Sequence, residues 1–264
     1  MEDDINNSKS VGKAPKRRFR DHPELAQLLA ICIIIQLGLV ICDLTINWLN
    51  WSESGAIRRL FNITREDGLA SLFAVLQAAA VAVTLWIIYL IQKSRKPPFL
   101  VSIGWLFLAA FFTFLAIDDG SKLHERIGTV FKANNEHIRF VSYGWQYVMA
   151  PVFIVCGIIV AGFLWRLGKN AIRRSFLIVA LGLLASAMAL DFVEGTSNGY
   201  IPLVDYFGWK ETTIAHFSKS IEEFMEMIAM SLLWMMFLEY LCRLSYETEI
   251  RFTEGRLLLI HRQS

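Results

Sequence analysis

The sequence SFLIVALGLLASAMALDFV, residues Ser175–Val193, decides the fold class of this chain. Its length is close to the roughly 20 residues that an α-helix needs to cross about 30 Å of hydrocarbon. One ionisable residue, Asp191, interrupts it near its end. Because a charge at membrane depth is costly, the stretch predicts a membrane-spanning helix whose charged residue has a function.

Five further apolar runs of similar length occur in the chain, at about Leu25–Trp48, Leu69–Ile91, Phe99–Ile117, Tyr143–Trp165 and Phe224–Cys242. The composition agrees with them, since 55% of the 264 residues are hydrophobic and 19% are charged. This excludes a water-soluble single domain. The sequence therefore predicts an all-α, polytopic membrane protein: a bundle of six transmembrane helices over residues 25–244, after a disordered basic tail (1–24) and before a C-terminal segment (245–264).

The loop charges predict the orientation of the bundle. Most of the 26 Lys and Arg residues fall in the N-terminal tail, in the loops after the second and fourth spans, and after the last span. Cytoplasmic loops carry such an excess, so the N and C termini are predicted to be cytoplasmic. We expect a bacterial inner membrane, with an acidic outer mouth that attracts cations.

Acidic and histidine residues interrupt the apolar runs at the predicted outer ends. At about 1.5 Å per residue, Asp191 and Glu226 both lie about 24–26 Å from the inner edge of the bundle. Asp191 and Glu194 are three residues apart, so they share a helix face. If the third span continues as a helix, Asp118 and Glu125 share a face and His124 points elsewhere, unless Gly120 breaks the helix. The candidate metal ligands in this layer are Asp118, His124, Glu125, Asp191, Glu194, His216, Glu223 and Glu226.

Such a set is typical of a divalent metal site in a helical bundle. Carboxylates outnumber imidazoles, which favours iron or manganese, with zinc as a further option. Glu222, four residues before Glu226, is the candidate general base towards metal-bound water. Taken alone, Asp118 and Asp119 also fit the solvated end of a helix.

Two parts of the chain resemble multi-pass bacterial and archaeal membrane proteins of no assigned function. The first consists of LAIDD (Leu115–Asp119) followed by LHE (Leu123–Glu125), and the second is EEFMEM (Glu222–Met227). The resemblance covers about the C-terminal two thirds of the chain. It implies a polytopic helical fold and no particular activity.

Three functions fit these observations. The first is a metal site acting on a lipid or other apolar substrate, as an oxidoreductase or hydrolase. The second is a cation or proton pathway in which Asp191 and Glu226 are relay groups. A pathway should continue inward, but the inner halves of spans five and six carry Ser186, Ser231 and Glu239 as their main polar groups. The third is an accessory subunit whose carboxylates pair with other membrane subunits. Membrane lipids are the expected partners, and nothing indicates nucleic-acid binding.

Overall fold

The computed structural model describes residues 23–134, 145–167, 171–196, 199–246, 248–253 and 256–261. The predicted tail of residues 1–24 lies outside these ranges apart from its last two residues. Within them the helices are α1 (Pro23–Asp43), α2 (Gly55–Phe61), α3 (Leu69–Ser94), α4 (Phe99–Ser121), α5 (Leu123–Ala133), α6 (Trp145–Val148), α7 (Ala150–Leu167), α8 (Ala171–Gly195), α9 (Ile201–Phe207) and α10 (Glu211–Tyr246). A π-helical turn, Leu44–Trp48, continues α1.

Five helices in the described ranges are long and apolar enough to cross a membrane: α1 with its π-helical turn, α3, α4, α8 and α10. The chain is therefore a membrane-embedded helical protein. We call the end of the bundle where α4 and α8 end and α3 and α10 begin the outer end, and the opposite end the inner end. The cytoplasmic placement of the termini stays a prediction.

The predicted fourth span, Tyr143–Trp165, corresponds to a shorter apolar helix, α7, preceded by the single turn of α6. Met149 lies between them, and its N–H still donates to the Trp145 carbonyl at 2.7 Å. Pro151, at the start of α7, has no N–H to donate to the preceding turn, which explains a break at this point. The count of six spans therefore also stays a prediction.

A short hairpin follows the last helix, in the C-terminal segment for which the sequence made no prediction of secondary structure. Strands β1 (Thr248–Thr253) and β2 (Arg256–His261) are antiparallel, with Thr248 opposite His261. The β1 sequence TEIRFT alternates polar and apolar residues, which is the period of a strand. The predicted C-terminal segment, residues 245–264, thus has secondary structure of its own.

The main hydrophobic core lies towards the inner end, between α3, α4, α8 and α10. It includes Leu85 and Ile88 of α3, Trp105 and Leu108 of α4, and Phe237 of α10, all nearly inaccessible. The polar residues of the predicted site lie towards the outer end of α4, α8 and α10 and, for His124 and Glu125, on α5. The inner part of the bundle is thus mainly apolar, and the outer part carries the polar residues of the predicted site.

A close contact in this core gives a stability prediction. A Cβ atom at Gly104 in α4 would overlap the ring of Phe163 in α7, and that ring already packs edge-on against Trp105 with ring centroids 5.5 Å apart. We expect Gly104→Ala to lower the free energy of unfolding by about 1–3 kcal/mol, the usual cost of overpacking. Thermal unfolding of the detergent-purified protein measures the change.

Gly157→Ala in α7 is the matched control, because a Cβ there has no atom within 4 Å. It should be neutral or stabilise by up to about 1 kcal/mol, the helix preference of alanine over glycine. Adding Phe163→Leu to Gly104→Ala should recover part of the loss. Equal effects of the two glycine substitutions would contradict the close-packing explanation.

Candidate acidic site at the outer end

Carboxylates from α4, α8, α10 and the short helix α5 lie near one another at the outer end of the bundle. Charge interactions connect Asp119 of α4 with Glu223 of α10, and Asp191 of α8 with Glu125 of α5. Glu226 interacts with Asp119, Glu222 and Glu223. We name the set the outer acidic cluster: Asp118, Asp119, Glu125, Asp191, Glu194, Glu222, Glu223 and Glu226.

Lys219 lies among these carboxylates. Its Nζ atom is 2.6 Å from Glu222 Oε1 and 3.6 Å from Glu223 Oε1, one turn further along α10. The same ammonium group also interacts with Asp191, Glu194 and Glu226. One ammonium group therefore interacts with carboxylates of both α8 and α10. Lys219 was not among the residues predicted for the site.

His124 is paired with Asp118 at the break between α4 and α5. The helix ends because Lys122 adopts a left-handed conformation, with φ of 56°. The chain therefore turns, and the His124 backbone N–H and Nδ1 atom each lie 2.8 Å from an oxygen of Asp118. The condition of a continuous helix through Glu125 is thus not met, and the break falls at Lys122 rather than at Gly120. Lys122 also forms an ion pair with Glu66.

This pairing gives a pH prediction. Burial lowers the pKa of the His124 imidazole, but the hydrogen bond and charge of Asp118, with the charges of Glu125 and Asp191, outweigh it and raise the pKa above its usual value. A pKa that is higher in the folded protein than in the unfolded chain means that the protonated imidazole stabilises the fold. This stabilisation is fully present at pH values below the pKa of the unfolded chain, and it is lost as the pH rises through the pKa of the folded protein. We expect the melting temperature to fall over that rise, by the equivalent of about 1.5–3 kcal/mol, the contribution of one hydrogen bond to a charged group.

His124→Gln and Asp118→Asn should each flatten the profile of melting temperature against pH. Thr129→Ser, an exposed change on the same helix, should keep the wild-type slope. An unchanged slope in His124→Gln would show that another group causes the pH dependence.

His216, one of the candidate metal ligands, is paired with an aspartate of α1. Its Nε2 atom is 2.9 Å from Asp43 Oδ2 in α1, and Asn47 donates to the other Asp43 oxygen at 2.9 Å. Ser220 Oγ lies 3.4 Å from Asp43. The structure thus brings His216 to Asp43, which is buried at the start of the π-helical turn. Asp43 interrupts the first apolar run at the same predicted depth, but it was not among the candidate ligands.

Three carboxylates of the cluster, Asp191, Glu194 and Glu222, accept few hydrogen bonds. Gln146 donates to Asp191 at 2.6 Å. Glu194 Oε2 and Glu222 Oε2 are buried, and neither has a hydrogen-bond partner among the described residues. A buried acceptor without a partner is costly, so these two atoms are candidates for contact with a bound ion or water.

A hydrogen-bonded layer joins α1, α3 and α10 further towards the inner end than the acidic residues of α10. Gln36 of α1 donates to the Met227 carbonyl at 3.0 Å and to Ser231 Oγ at 2.8 Å. The Gln77 amide of α3 lies 2.6 Å from the same hydroxyl. These side chains are buried, and the apolar core follows directly below them. Gln36 and Gln77 were not among the predicted site residues, although each is an amide inside an apolar run.

No three His, Cys, Asp or Glu side chains within the described ranges are close enough together to hold a metal ion. The contacts show why they stay apart: Glu222 and Glu223 are directed to Lys219, and His124 and His216 to separate aspartates. Asp119 and Glu226 are exposed, so the cluster is accessible from outside the bundle.

Comparison with known proteins finds one family. A family model described as "Domain of unknown function (DUF8692)" matches residues 25–241, which include all the described helices that could span a membrane except the first two residues of α1 and the last few residues of α10. No curated protein and no solved structure matches the chain.

Proposed function

The chain belongs to the DUF8692 family, and from the outer acidic cluster we propose that it binds a divalent metal ion there and acts on a lipid or other apolar substrate, as an oxidoreductase or hydrolase. The charge imbalance around Lys219 carries the proposal. Eight carboxylates form the cluster, and Lys219 is the cation that most of them share. Negative charge gathered in a partly buried site is stable only when it is neutralised, and a divalent cation does so more fully than one ammonium group.

The donor atoms indicate the kind of metal. Carboxylate oxygens dominate the cluster, and His124 is the imidazole nearest to it, through its interaction with Asp191. Oxygen-rich sites with one imidazole suit iron or manganese better than a structural zinc ion. Glu194 and Glu223 are the best candidate ligands, because Glu194 has a buried oxygen without a hydrogen bond and Glu223 lies beside Lys219.

Binding an ion requires Lys219 to leave its position between Glu222 and Glu223. Its side chain is long and partly exposed, so it can swing outward. A bound divalent ion would supply Lewis-acid or redox chemistry. Glu222 remains the candidate general base, with Oε2 available to accept a proton once Oε1 has lost its lysine partner.

The closed inner side favours a site over a pathway. Gln36, Gln77 and Ser231 are fixed to one another, and the residues below them form a packed apolar core. An ion crossing the bundle would have to pass through that core. Exposure of Asp119 and Glu226 instead suits a site that a substrate enters from the outer leaflet.

Metal analysis of the detergent-purified protein tests the proposal. We expect close to one equivalent of iron or manganese, and a dissociation constant at least about tenfold weaker in Glu222→Gln/Glu223→Gln, as for other losses around metal sites. Glu211→Gln, an exposed change on the same helix, is the matched control and should bind as the wild type does.

Two results would contradict the proposal. One is a wild-type protein that binds none of iron, manganese or zinc. The other is a dissociation constant for the metal ion that is the same in the Glu222→Gln/Glu223→Gln variant, the Glu211→Gln variant and the wild type. Metal-free protein that carries cations across liposome membranes would support the pathway instead.

A further inference from the structure

Five aromatic side chains near the ends of α1, α9 and α10 form one patch at the outer end of the bundle. The Trp48 ring, at the end of the π-helical turn, lies 5.0 Å from Phe217 of α10 and 6.0 Å from Trp209, measured between ring centroids. Phe207 of α9 stacks on Trp209 at 5.2 Å, and Tyr206 packs edge-on against Phe207 at 4.9 Å. We name these five residues the outer aromatic patch.

The patch is exposed although its rings are largely apolar. The exposed fraction is 82% for Tyr206, 51% for Phe207, and 44% for both Trp48 and Trp209. Helix α9 adds to this surface, because its apolar residues Ile201 and Leu203 are also exposed and Asp205 is its one charged residue. A contiguous apolar surface of this kind is costly in water and marks a contact with a membrane or another protein.

The depth of the patch indicates that the contact is with the membrane. The first span consists of the 26 residues Pro23–Trp48, so it is about 39 Å long at about 1.5 Å per residue. When such a span is centred in a bilayer, its ends lie about 20 Å from the midplane, whereas the hydrocarbon ends at about 15 Å and the headgroup region at about 20–22 Å. Trp48 is therefore at headgroup level, and Phe217, which contacts it, shares that level.

The residue types of the patch agree with this depth. Trp and Tyr combine an apolar ring with one polar group, which suits the boundary between acyl chains and water. Arg58 of α2 donates to the Asn47 carbonyl at 3.2 Å, directly before Trp48 in sequence. A guanidinium group therefore lies beside the rings, at the level of the lipid phosphates, where cations and aromatic residues together act as anchors.

We propose that the outer aromatic patch and α9 lie in the boundary between headgroups and acyl chains, in the leaflet at the outer end of the bundle. Lipid then covers the rings that the protein leaves exposed. The contact also fixes the depth of the outer acidic cluster: Glu222 lies five residues after Phe217 on α10, so it is about 8 Å deeper and close to the outer edge of the hydrocarbon. This inference does not rest on the proposed metal site.

Spin labels on single cysteines test the inference in vesicles of phosphatidylethanolamine and phosphatidylglycerol. The background replaces Cys42, Cys156 and Cys242 with alanine and keeps Cys32, which is buried, and its own signal is subtracted. For each label, the collision rate is measured with oxygen, which dissolves in lipid, and with a water-soluble nickel chelate present on both sides of the membrane. The ratio of the two rates reports depth.

Tyr206→Cys carries the label of the patch, and two further sites calibrate the scale. Glu211→Cys is exposed at the start of α10, six residues before Phe217, and marks the water. Ile34→Cys, at a position that is 67% exposed within the first span, marks the hydrocarbon. We expect the ratio of oxygen to nickel collisions at Tyr206→Cys to be several-fold larger than at Glu211→Cys and smaller than at Ile34→Cys.

Leu203→Cys supplies a second label on α9, at a position that is 42% exposed, and decides the result if Tyr206→Cys does not fold. It should fall between the same two references. Frequent nickel collisions, as at Glu211→Cys, would place the patch in water and overturn the inference. Low collision rates with both reagents would show that protein covers the patch, either a second copy of the chain or another membrane subunit, and would overturn it as well.

Discussion

Replacing Lys219 with methionine is expected to lower the free energy of unfolding by about 3 kcal/mol at neutral pH. The substitution keeps a long, flexible side chain but leaves Glu222, which is 5% exposed, and Glu223 without their shared cation. Removing one partner of a largely buried ion pair typically costs about 3–5 kcal/mol, and the partial exposure of Lys219 argues for the lower figure. Denaturant unfolding in detergent measures the loss.

The loss in Lys219→Met should shrink as the pH is lowered, because neutral carboxyl groups no longer need the ammonium group. Lys210→Met, an exposed change just before α10, is the control and should cost less than about 0.5 kcal/mol. Restoration of stability by added manganese in Lys219→Met would further connect the lysine to the proposed metal site. A loss that does not depend on pH would contradict the counter-ion role.

Replacing Arg173 with methionine is expected to have a comparable or larger effect at the inner end of the bundle. Arg173 Nε lies 2.5 Å from Glu239 Oε2, and the two side chains are 8% and 2% exposed. Arg173→Met leaves a carboxylate in the packed region between α8 and α10, so we expect a loss of about 3–5 kcal/mol. The melting temperature and the denaturant midpoint should both fall.

The double variant Arg173→Met/Glu239→Leu should recover most of that loss, because apolar side chains of similar volume replace both charges. Arg174→Met is the neighbouring control. Arg174 is exposed and lies 4.9 Å from the centre of the Trp165 ring, so its loss should cost about 1 kcal/mol or less. A double variant as unstable as Arg173→Met would mean that packing, rather than the unpaired charge, determines the cost.

The helices of the bundle were largely predictable from the sequence, but their ends were not. The predicted apolar runs fall within or close to α1, α3, α4, α7, α8 and α10. The last run was expected to start at Phe224, whereas α10 begins at Glu211. Hydropathy marks only the part of a helix that is apolar, so the apolar run does not include the polar first turns of α10, which carry His216 and Lys219.

The contacts of the outer acidic cluster could be predicted only in part. Depth along each helix indicated that Asp191 and Glu226 belong to one layer, and their spacing placed Asp191 and Glu194 on one helix face. Charge interactions connect Glu194 with Asp191 and Glu226 with Lys219. Depth does not specify partners, however. The structure pairs His216 with Asp43, and it places Lys219 rather than a histidine among the carboxylates.

The sequence alone determined that this chain is a membrane-embedded helical protein with its acidic residues near one end, because apolar length and the cost of buried charge are local properties of the chain. Only the tertiary structure decided which groups meet. The left-handed Lys122 turns His124 back onto Asp118, and the packing of α1, α3 and α10 brings Gln36, Gln77 and Ser231 together. These contacts depend on the angles between helices, and hydrophobic periodicity does not specify those angles.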